Sequence, residues 1–271
     1  MMRLSLFIAP LFWLLATPLW ADARGAVLVD VLKIEEVAHI LQAEGIANAE
    51  TLNQDMLGGK GGAGWQLQVA AIYRPERIVE MLRTRLDTEL QGDQREEVIA
   101  FFASDTGAEI IALENAARAA IGDEDIETAA RQRYAEIEGS DDARLAQIKA
   151  LVDSGDMINR NVTAAMNSNY QFMRGLAEGG AIQMNESEML ADSAAQLDEI
   201  TADTTAWLYG YLLLAYSPLE NDALDQYLEF SRTNAGLALN RALFDGFGAA
   251  YEDISYALGR AVALNMVAQD L

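Results

Sequence analysis

The sequence predicts an all-α fold, a compact bundle of many helices, and three observations support this prediction. Beyond residue 25 the chain contains only Pro75 and Pro218, so few positions interrupt a helix. Alanine, which has the highest helix propensity, accounts for 46 of the 271 residues. Apolar residues recur at helical spacing along most of the chain, and no segment alternates with the period of a strand.

The individual helices are predicted from apolar faces and from residues that favour helix ends. A first helix begins near Val27 and is expected to end at Gly45. Pro75 suits the first position of the next helix, because its fixed φ angle fits a helix N-terminus. Asp93 is expected to cap the following helix, with Glu96 completing a capping box. Later helices are predicted over 124–138, 141–153, 157–177, 186–215, 220–231 and from 234 onward.

The composition excludes several classes of function. The chain has 42 Asp and Glu residues against 19 Lys and Arg residues, and its net charge of −23 repels nucleic acids. Because it has no cysteine, it has no thiol nucleophile and no thiolate metal site. His39 is the only histidine, so a Ser-His-Asp triad would require it, and nothing in the sequence indicates a serine partner.

No cofactor and no metal site is predicted. The glycine-rich stretch 58–64 lacks the context of a phosphate-binding loop, so we interpret it as a connector between helices. The acidic run 123–125 lacks the Gly and closing Glu of a calcium loop, and the acidic pairs are interpreted as helix caps or solvated faces. Met157, Met166 and Met173 share a helix face, which favours core packing, with a ligand groove or Cu(I) as alternatives.

Residues 1–21 are predicted to form a cleavable signal peptide. Arg3 provides the positive start, an apolar segment follows, and small residues permit cleavage after Ala21 or Ala23. The apolar segment is short and is broken by Pro10, whereas a membrane-spanning helix needs about 20 apolar residues. We therefore expect a periplasmic protein that has no integral membrane segment after cleavage.

Two segments of the chain resemble each other and indicate an internal duplication. Residues 90–107 align without a gap to residues 219–236, and the matched positions include Phe101 with Phe230, Ser104 with Thr233, and Gly107 with Gly236. Each segment is expected to form a helix with a buried aromatic residue, followed by a Ser or Thr that caps the next helix. We interpret the chain as two related helical units, 26–121 and 155–265, joined by an acidic helical connector over 122–154.

The first of these segments resembles the signature of the domain of unknown function 2059 family. The signature is an aromatic pair followed by Ser and Gly, here Phe101, Phe102, Ser104 and Gly107. The second segment is a variant in which Ser231 replaces the second aromatic residue. The resemblance implies an exported, all-helical bacterial protein. It implies no chemistry and no catalytic residue, because that family has no assigned activity.

Aromatic residues of the second unit are the candidates for a binding site. Buried tyrosine hydroxyls need hydrogen-bond partners, so Trp207, Tyr211 and Tyr227 are expected either in the core or in the wall of a partly apolar pocket. The absence of a catalytic constellation favours a non-enzymatic envelope protein that binds an unknown protein or a small apolar ligand. The alternative is a carboxylate-dependent hydrolase of the cell wall, in which paired acids would cleave a glycosidic bond.

Overall fold

The computed structural model describes residues 17–269, and this part of the chain is all-α, as the sequence predicts. The first half contains α1 (Thr17–Val31), α2 (Ile34–Leu57), α3 (Gly62–Ile72), α4 (Pro75–Glu89), α5 (Asp93–Phe102) and α6 (Asp105–Ala120). The second half contains α7 (Glu124–Ile137), α8 (Ala143–Ser154), α9 (Met157–Glu178), α10 (Glu186–Ala195), α11 (Leu197–Tyr216), α12 (Asn221–Ser231) and α13 (Asn234–Gln269).

Most of the predicted signal peptide, residues 1–16, lies outside the described residues. The backbone of α1 includes both predicted cleavage positions, Ala21 and Ala23. Among the described helices, none is long and apolar enough to cross a membrane.

Two hydrophobic cores hold the helices together. The first core joins α1 to α5 with α13, and its fully buried side chains include Leu28, Trp65 and Leu82. The second core joins α6, α7, α8, α11 and α12, and its fully buried side chains include Ile148 and Tyr216. Phe101 and Tyr227 border both cores. A cavity at the boundary between the cores would therefore be lined by residues of both cores.

The long helices α9 and α13 cross closely because each places a glycine at the contact. A Cβ atom on Gly259 would collide with the carbonyl oxygen of Phe172 in α9. In the reverse direction, a Cβ atom on Gly175 would collide with the carbonyl oxygen of Tyr256 in α13. Backbone atoms cannot move aside as a side chain can, so this crossing requires glycine on both helices.

Four predictions of helix bounds are wrong. The predicted first helix is broken at Lys33, between α1 and α2, and the predicted helix over 186–215 is divided at Gln196 into α10 and α11. Gly45 does not end a helix but lies in the middle of α2, where it makes room for the ring of Tyr73, since a Cβ atom there would collide with that ring. Asp93 does not cap α5, because the N-cap is Gly92 and no side-chain cap is formed, so the predicted capping box with Glu96 is absent. The prediction for Pro75 is confirmed, since it occupies the first turn of α4.

The two similar sequence segments have the same local geometry. The side-chain oxygen of Ser104 accepts a hydrogen bond from the backbone N–H of Gly107 at 3.2 Å, at the start of α6. At the start of α13, the side-chain oxygen of Thr233 accepts one from the backbone N–H of Gly236 at 3.1 Å. A Cβ atom on either glycine would collide with a carbonyl oxygen of the preceding helix, that of Phe101 or of Phe230.

The aromatic residues of the two segments also contact each other. The rings of Phe101 and Phe230 stack with centroids 4.1 Å apart and an interplanar angle of 8°. Phe102 meets the ring of Phe230 edge to face at 5.5 Å. Aromatic pairs in such geometries stabilise a fold by roughly 0.5–1.5 kcal/mol beyond their burial. The two segments therefore pack face to face at the centre of the molecule.

Candidate functional site

A cavity of about 300 Å³ lies where the two cores meet, and we call it the aromatic cavity. Helices α2, α6, α9, α11, α12 and α13 all contribute to its wall. Its aromatic lining includes Trp207, Tyr211, Tyr216, Tyr227, Phe247 and Tyr251, and aliphatic residues such as Leu41 and Leu243 complete the apolar surface. Pockets of this size that are mainly apolar and carry a few polar groups are typical of small-molecule sites.

The three aromatic residues proposed from the sequence all line this one cavity. Trp207 and Tyr211 lie one turn apart on α11, and their rings stack with centroids 5.3 Å apart. Tyr227 reaches the cavity from α12, where its ring meets that of Tyr216 edge to face at 6.3 Å. Tyr209 does not line the cavity but stacks on Tyr134 of α7. That a ligand occupies the cavity stays a prediction.

Glu114 of α6 is the only carboxylate among the described residues that line the cavity. The Tyr216 hydroxyl donates a hydrogen bond of 2.5 Å to one carboxylate oxygen of Glu114, and the Tyr211 hydroxyl donates to its backbone carbonyl at 3.2 Å. Burial raises the pKa of Glu114 to about 7, and hydrogen bonds from Tyr216 and Tyr227 oppose that rise. The carboxyl group therefore changes its protonation state near neutral pH.

The tyrosine hydroxyls around Glu114 remain hydrogen-bond donors. Burial raises the pKa of Tyr211, Tyr216 and Tyr227 well above the ordinary value for tyrosine, and the nearby charge of Glu114 raises each one further. These hydroxyls stay protonated at any physiological pH. The protons of Tyr211 and Tyr216 are already donated, to the backbone carbonyl and to the carboxylate of Glu114 respectively.

Arg118, one turn beyond Glu114 on α6, forms a second polar group at the wall of the cavity. Its guanidinium donates two hydrogen bonds of 2.7 Å to the two carboxylate oxygens of Glu44 on α2. The same guanidinium lies over the ring of Trp207, 5.0 Å from the centroid. A bidentate pair of this kind fixes the geometry of both side chains. The positive charge of Arg118 is thus already neutralised by Glu44.

Asn115 leaves a hydrogen-bonding group free beside the cavity. The residue is only 7% exposed, and its side-chain Nδ2 has no hydrogen-bond partner. A buried donor without a partner destabilises a protein by roughly 1–3 kcal/mol, so such groups are uncommon. Asn115 lies among the lining residues, next in sequence to Glu114.

Two outer recesses adjoin the aromatic cavity. A polar recess of about 400 Å³ between α9 and α13 shares Ala164, Phe244 and Gly248 with it. A second recess of about 250 Å³ shares Arg118 and Trp207. The aromatic cavity therefore shares part of its wall with each outer recess.

Glu114, Asn115 and Arg118 were not identified from the sequence as site residues. The available signal was their place in α6, where Ile110, Ile111 and Ala117 mark a buried stripe. Glu114 falls on the stripe at helical spacing from Ile110, and a charged residue there is a departure from the apolar pattern. The sequence alone does not show that the stripe faces a cavity.

The other candidates from the sequence do not gather into a site. His39 is exposed on α2, whereas its neighbours Val37 and Leu41 line the cavity. Asp123 and Asp142 cap α7 and α8, which is the structural role expected for the acidic pairs. Within the described residues, no group of His, Asp and Glu side chains could hold a metal ion.

The fold and the cavity define the protein as an all-α chain with two cores and a partly apolar, aromatic cavity between them. No protein-family model, no curated protein and no solved structure matches the chain.

Proposed function

We propose that the protein is a non-enzymatic, exported binding protein whose aromatic cavity takes up a small, largely apolar ligand. The observation that carries the proposal is the cavity itself, because aromatic and aliphatic side chains from both cores line it around a few polar groups. A filled core would bring these side chains into contact and leave no space between them.

The lining of the cavity favours binding over the hydrolysis of a glycosidic bond. A protonated Glu114 resembles the general acid of such an enzyme, but two carboxyl groups have to flank the bond that is cleaved. Among the described residues that line the cavity, Glu114 has no second carboxyl group beside it. We therefore prefer binding to catalysis for this cavity.

The proposed function is tested by filling the cavity. A Cβ atom on Gly248 would meet no atom within 4 Å, so Gly248→Leu adds a side chain to the wall that the aromatic cavity shares with the polar recess. Isothermal titration calorimetry of the full chain with 2-phenylethanol as a neutral aromatic probe should give saturable binding to the wild type. In the Gly248→Leu variant the affinity should fall by at least about tenfold, because the pocket volume is lost.

The matched control is Gly64→Leu on α3. A Cβ atom on Gly64 also meets no atom within 4 Å, and Gly64 lies outside the cavity lining, so its affinity for the probe should equal that of the wild type. If the wild type binds none of a neutral, a cationic and an anionic aromatic probe, the proposed function is wrong. Binding that survives Gly248→Leu would place the ligand elsewhere.

We also propose that the chain arose by duplication of one helical unit and that it is related to the domain of unknown function 2059 family. The helices that follow α1 support this, because α2 to α6 would correspond to α9 to α13, with α7 and α8 as the connector. The only residues with positive φ other than glycine in the described chain are Lys33 and Asp156, both at φ 50°. Each directly precedes a helix of the proposed pair, α2 or α9.

The packing of the proposed units supports the same correspondence. Helix α4 packs on α13, and its proposed counterpart α11 packs on α6, the counterpart of α13. Such reciprocal contacts, together with the Phe101–Phe230 stack, are what a two-fold relation between the units requires.

The duplication is tested by exchanging the residues that cap α6 and α13, which are Ser104 and Thr233. If the positions are equivalent, Ser104→Thr and Thr233→Ser should each change the free energy of unfolding by less than about 0.5 kcal/mol. Ser104→Ala and Thr233→Ala should each lower it by about 1 kcal/mol, because a cap hydrogen bond is lost. Chemical denaturation measures all four, and an exchange that destabilises as much as alanine would speak against equivalence.

A further inference from the structure

Two charged side chains line the aromatic cavity, Glu114 and Arg118, and only Arg118 has an oppositely charged partner. Within the described residues, the carboxylate of Glu114 forms hydrogen bonds with tyrosines but no ion pair with Lys or Arg. The guanidinium of Arg118, which also lines the cavity, is held by both carboxylate oxygens of Glu44. When Glu114 is ionised, the cavity therefore carries one negative charge that no cation of the protein neutralises.

We propose that the ligand is an organic cation, an ammonium group on a small apolar body, with the ammonium bound to the Glu114 carboxylate and to the aromatic faces around it. This inference rests on the proposed function and names the class of ligand. A carboxylate has about four acceptor positions, so hydrogen bonds from two tyrosines leave room for ammonium N–H donors. Tyrosine and tryptophan rings line the cavity, and such rings attract cations through their negative faces.

An anionic ligand fits the cavity less well. Arg118 is the one cationic side chain among the described lining residues, and an anion would have to replace Glu44 in a bidentate pair. The ionised Glu114, on the same helix, would repel the anion. The net charge of −23 would also oppose its approach to the protein, whereas it favours the approach of a cation.

A neutral ligand would use the apolar surface but would leave the Glu114 charge unpaired. Burying an ionised carboxylate without a cation is unfavourable, which is why the group holds its proton up to neutral pH in the free protein. An ammonium ion removes that penalty when it binds. The cavity should therefore distinguish an amine from an alcohol of the same size.

The proposal is tested with three probes that differ mainly in charge: 2-phenylethylamine, 2-phenylethanol and phenylacetate. Their affinities for the full chain are measured by isothermal titration calorimetry at about pH 8, where Glu114 is mostly ionised. We expect the amine to bind at least about tenfold more tightly than either other probe, because it adds a charge-assisted hydrogen bond.

A matched pair of variants assigns the effect to Glu114. Glu114→Gln keeps the shape and polarity of the side chain but removes its charge, so the affinity for the amine should fall about tenfold while that for the alcohol stays the same. Glu109→Gln removes the same charge from an exposed position on the same helix and should change neither affinity. This control separates the local pairing from the general effect of net charge.

The pH dependence of the wild type gives a second measurement that does not depend on a variant folding. The ionisable groups that surround Glu114 are Tyr211 and Tyr216 of α11, Tyr227 of α12, Tyr251 of α13, the Glu44 of α2 and the Arg118 of α6. The tyrosines remain protonated and the guanidinium of Arg118 remains charged between about pH 6 and pH 8, because the pKa of each lies above its ordinary value. The affinity for the amine should therefore rise across this range as Glu114 loses its proton.

The outcomes separate the two proposals. If the alcohol or phenylacetate binds as tightly as the amine, the cavity is a ligand site but the cation proposal is wrong. An affinity for the amine that neither Glu114→Gln nor pH alters would overturn it as well. If none of the three probes binds, both the proposed function and the cation proposal are wrong.

Discussion

Burial and hydrogen bonding act on the carboxyl group of Glu114 in opposite directions, and burial has the larger effect. The residue lies at the boundary of two cores, where the low polarity of the surroundings disfavours its charged form. In the unfolded chain the pKa returns to about 4.5, so the folded state holds a proton that the unfolded state has lost between about pH 4.5 and pH 7. Ionisation of Glu114 therefore favours unfolding in this range.

The stability of the wild type should consequently contain a pH-dependent loss that Glu114→Gln removes. Because one pKa unit corresponds to about 1.4 kcal/mol, the wild type should lose up to about 3 kcal/mol relative to the variant as the pH rises from 4.5 to above 7. The variant should be similar to the wild type near pH 4.5 and more stable at pH 8. Urea denaturation of both proteins across this range measures the difference.

The control for this prediction is Glu109→Gln. Glu109 is exposed on the same helix, so its variant should follow the wild-type pH profile. Parallel profiles for the wild type and Glu114→Gln would show that Glu114 ionises alike in the folded and unfolded states, contrary to the prediction.

At the level of single residues, the sequence predicts the apolar part of the site better than its polar part. Trp207 and Tyr211 are recognisable because aromatic residues cluster on one apolar helix. Glu114 and Arg118 resemble the many other charges of an acidic chain, and only their burial against α11 and α2 sets them apart. Burial of that kind depends on helices that are distant in the sequence, so local spacing does not reveal it.

At the level of elements, the crossing of α9 and α13 should be sensitive to a single methyl group. Gly259→Ala places a Cβ atom against the backbone of α9 and should lower the free energy of unfolding by about 1–3 kcal/mol or more. Gly248→Ala on the same helix meets open space and should raise it by up to about 1 kcal/mol, since alanine favours a helix. Thermal and chemical denaturation compare the two variants, and a loss in both would argue against the crossing as the cause.

The break between α1 and α2 gives a second prediction for an element. Lys33 has a left-handed backbone conformation, which is unfavourable for a residue with a Cβ atom. Lys33→Gly should therefore raise the free energy of unfolding by up to about 1 kcal/mol. Its ion pair with Asp30 is exposed and contributes little, so its loss should not offset the gain.

The control is Lys149→Gly within α8, where the backbone is helical and glycine should cost about 1 kcal/mol. Equilibrium denaturation should thus give opposite signs for two Lys→Gly changes at exposed positions. A destabilisation of equal size in both variants would be incompatible with strain at Lys33.

The element boundaries differ in how well the sequence predicts them. Pro75 marks a helix start because its ring fixes the backbone wherever it occurs. Gly45 is ambiguous, because glycine occurs both at helix ends and at close contacts within helices, and here the contact with Tyr73 decides. The break at Lys33 has no residue-type signal, since lysine favours helices and seldom adopts a left-handed conformation.

At the scale of the whole molecule, the excess of acidic residues is a source of repulsion that the ion pairs do not remove. The chain has 23 more acidic than basic side chains, and most of the ion pairs in the described part have at least one exposed partner. Exposed pairs contribute about 0–1 kcal/mol each, so screening them costs little. The folded chain concentrates the net negative charge more than the unfolded chain does, so repulsion opposes folding.

Salt should therefore stabilise this protein. Raising NaCl from about 0.01 M to about 0.5 M shortens the screening length from about 30 Å to a few ångströms, which removes long-range repulsion but leaves the apolar cores unchanged. If the gain is about 1 kcal/mol, Tm should rise by about 2–4 °C at pH 7 in differential scanning calorimetry. The same change in salt near pH 4.2, where the net charge approaches zero, should give a much smaller shift. A decrease of Tm with salt at pH 7 would mean instead that attractive pairs, such as Glu44 with Arg118 at the aromatic cavity, outweigh the repulsion.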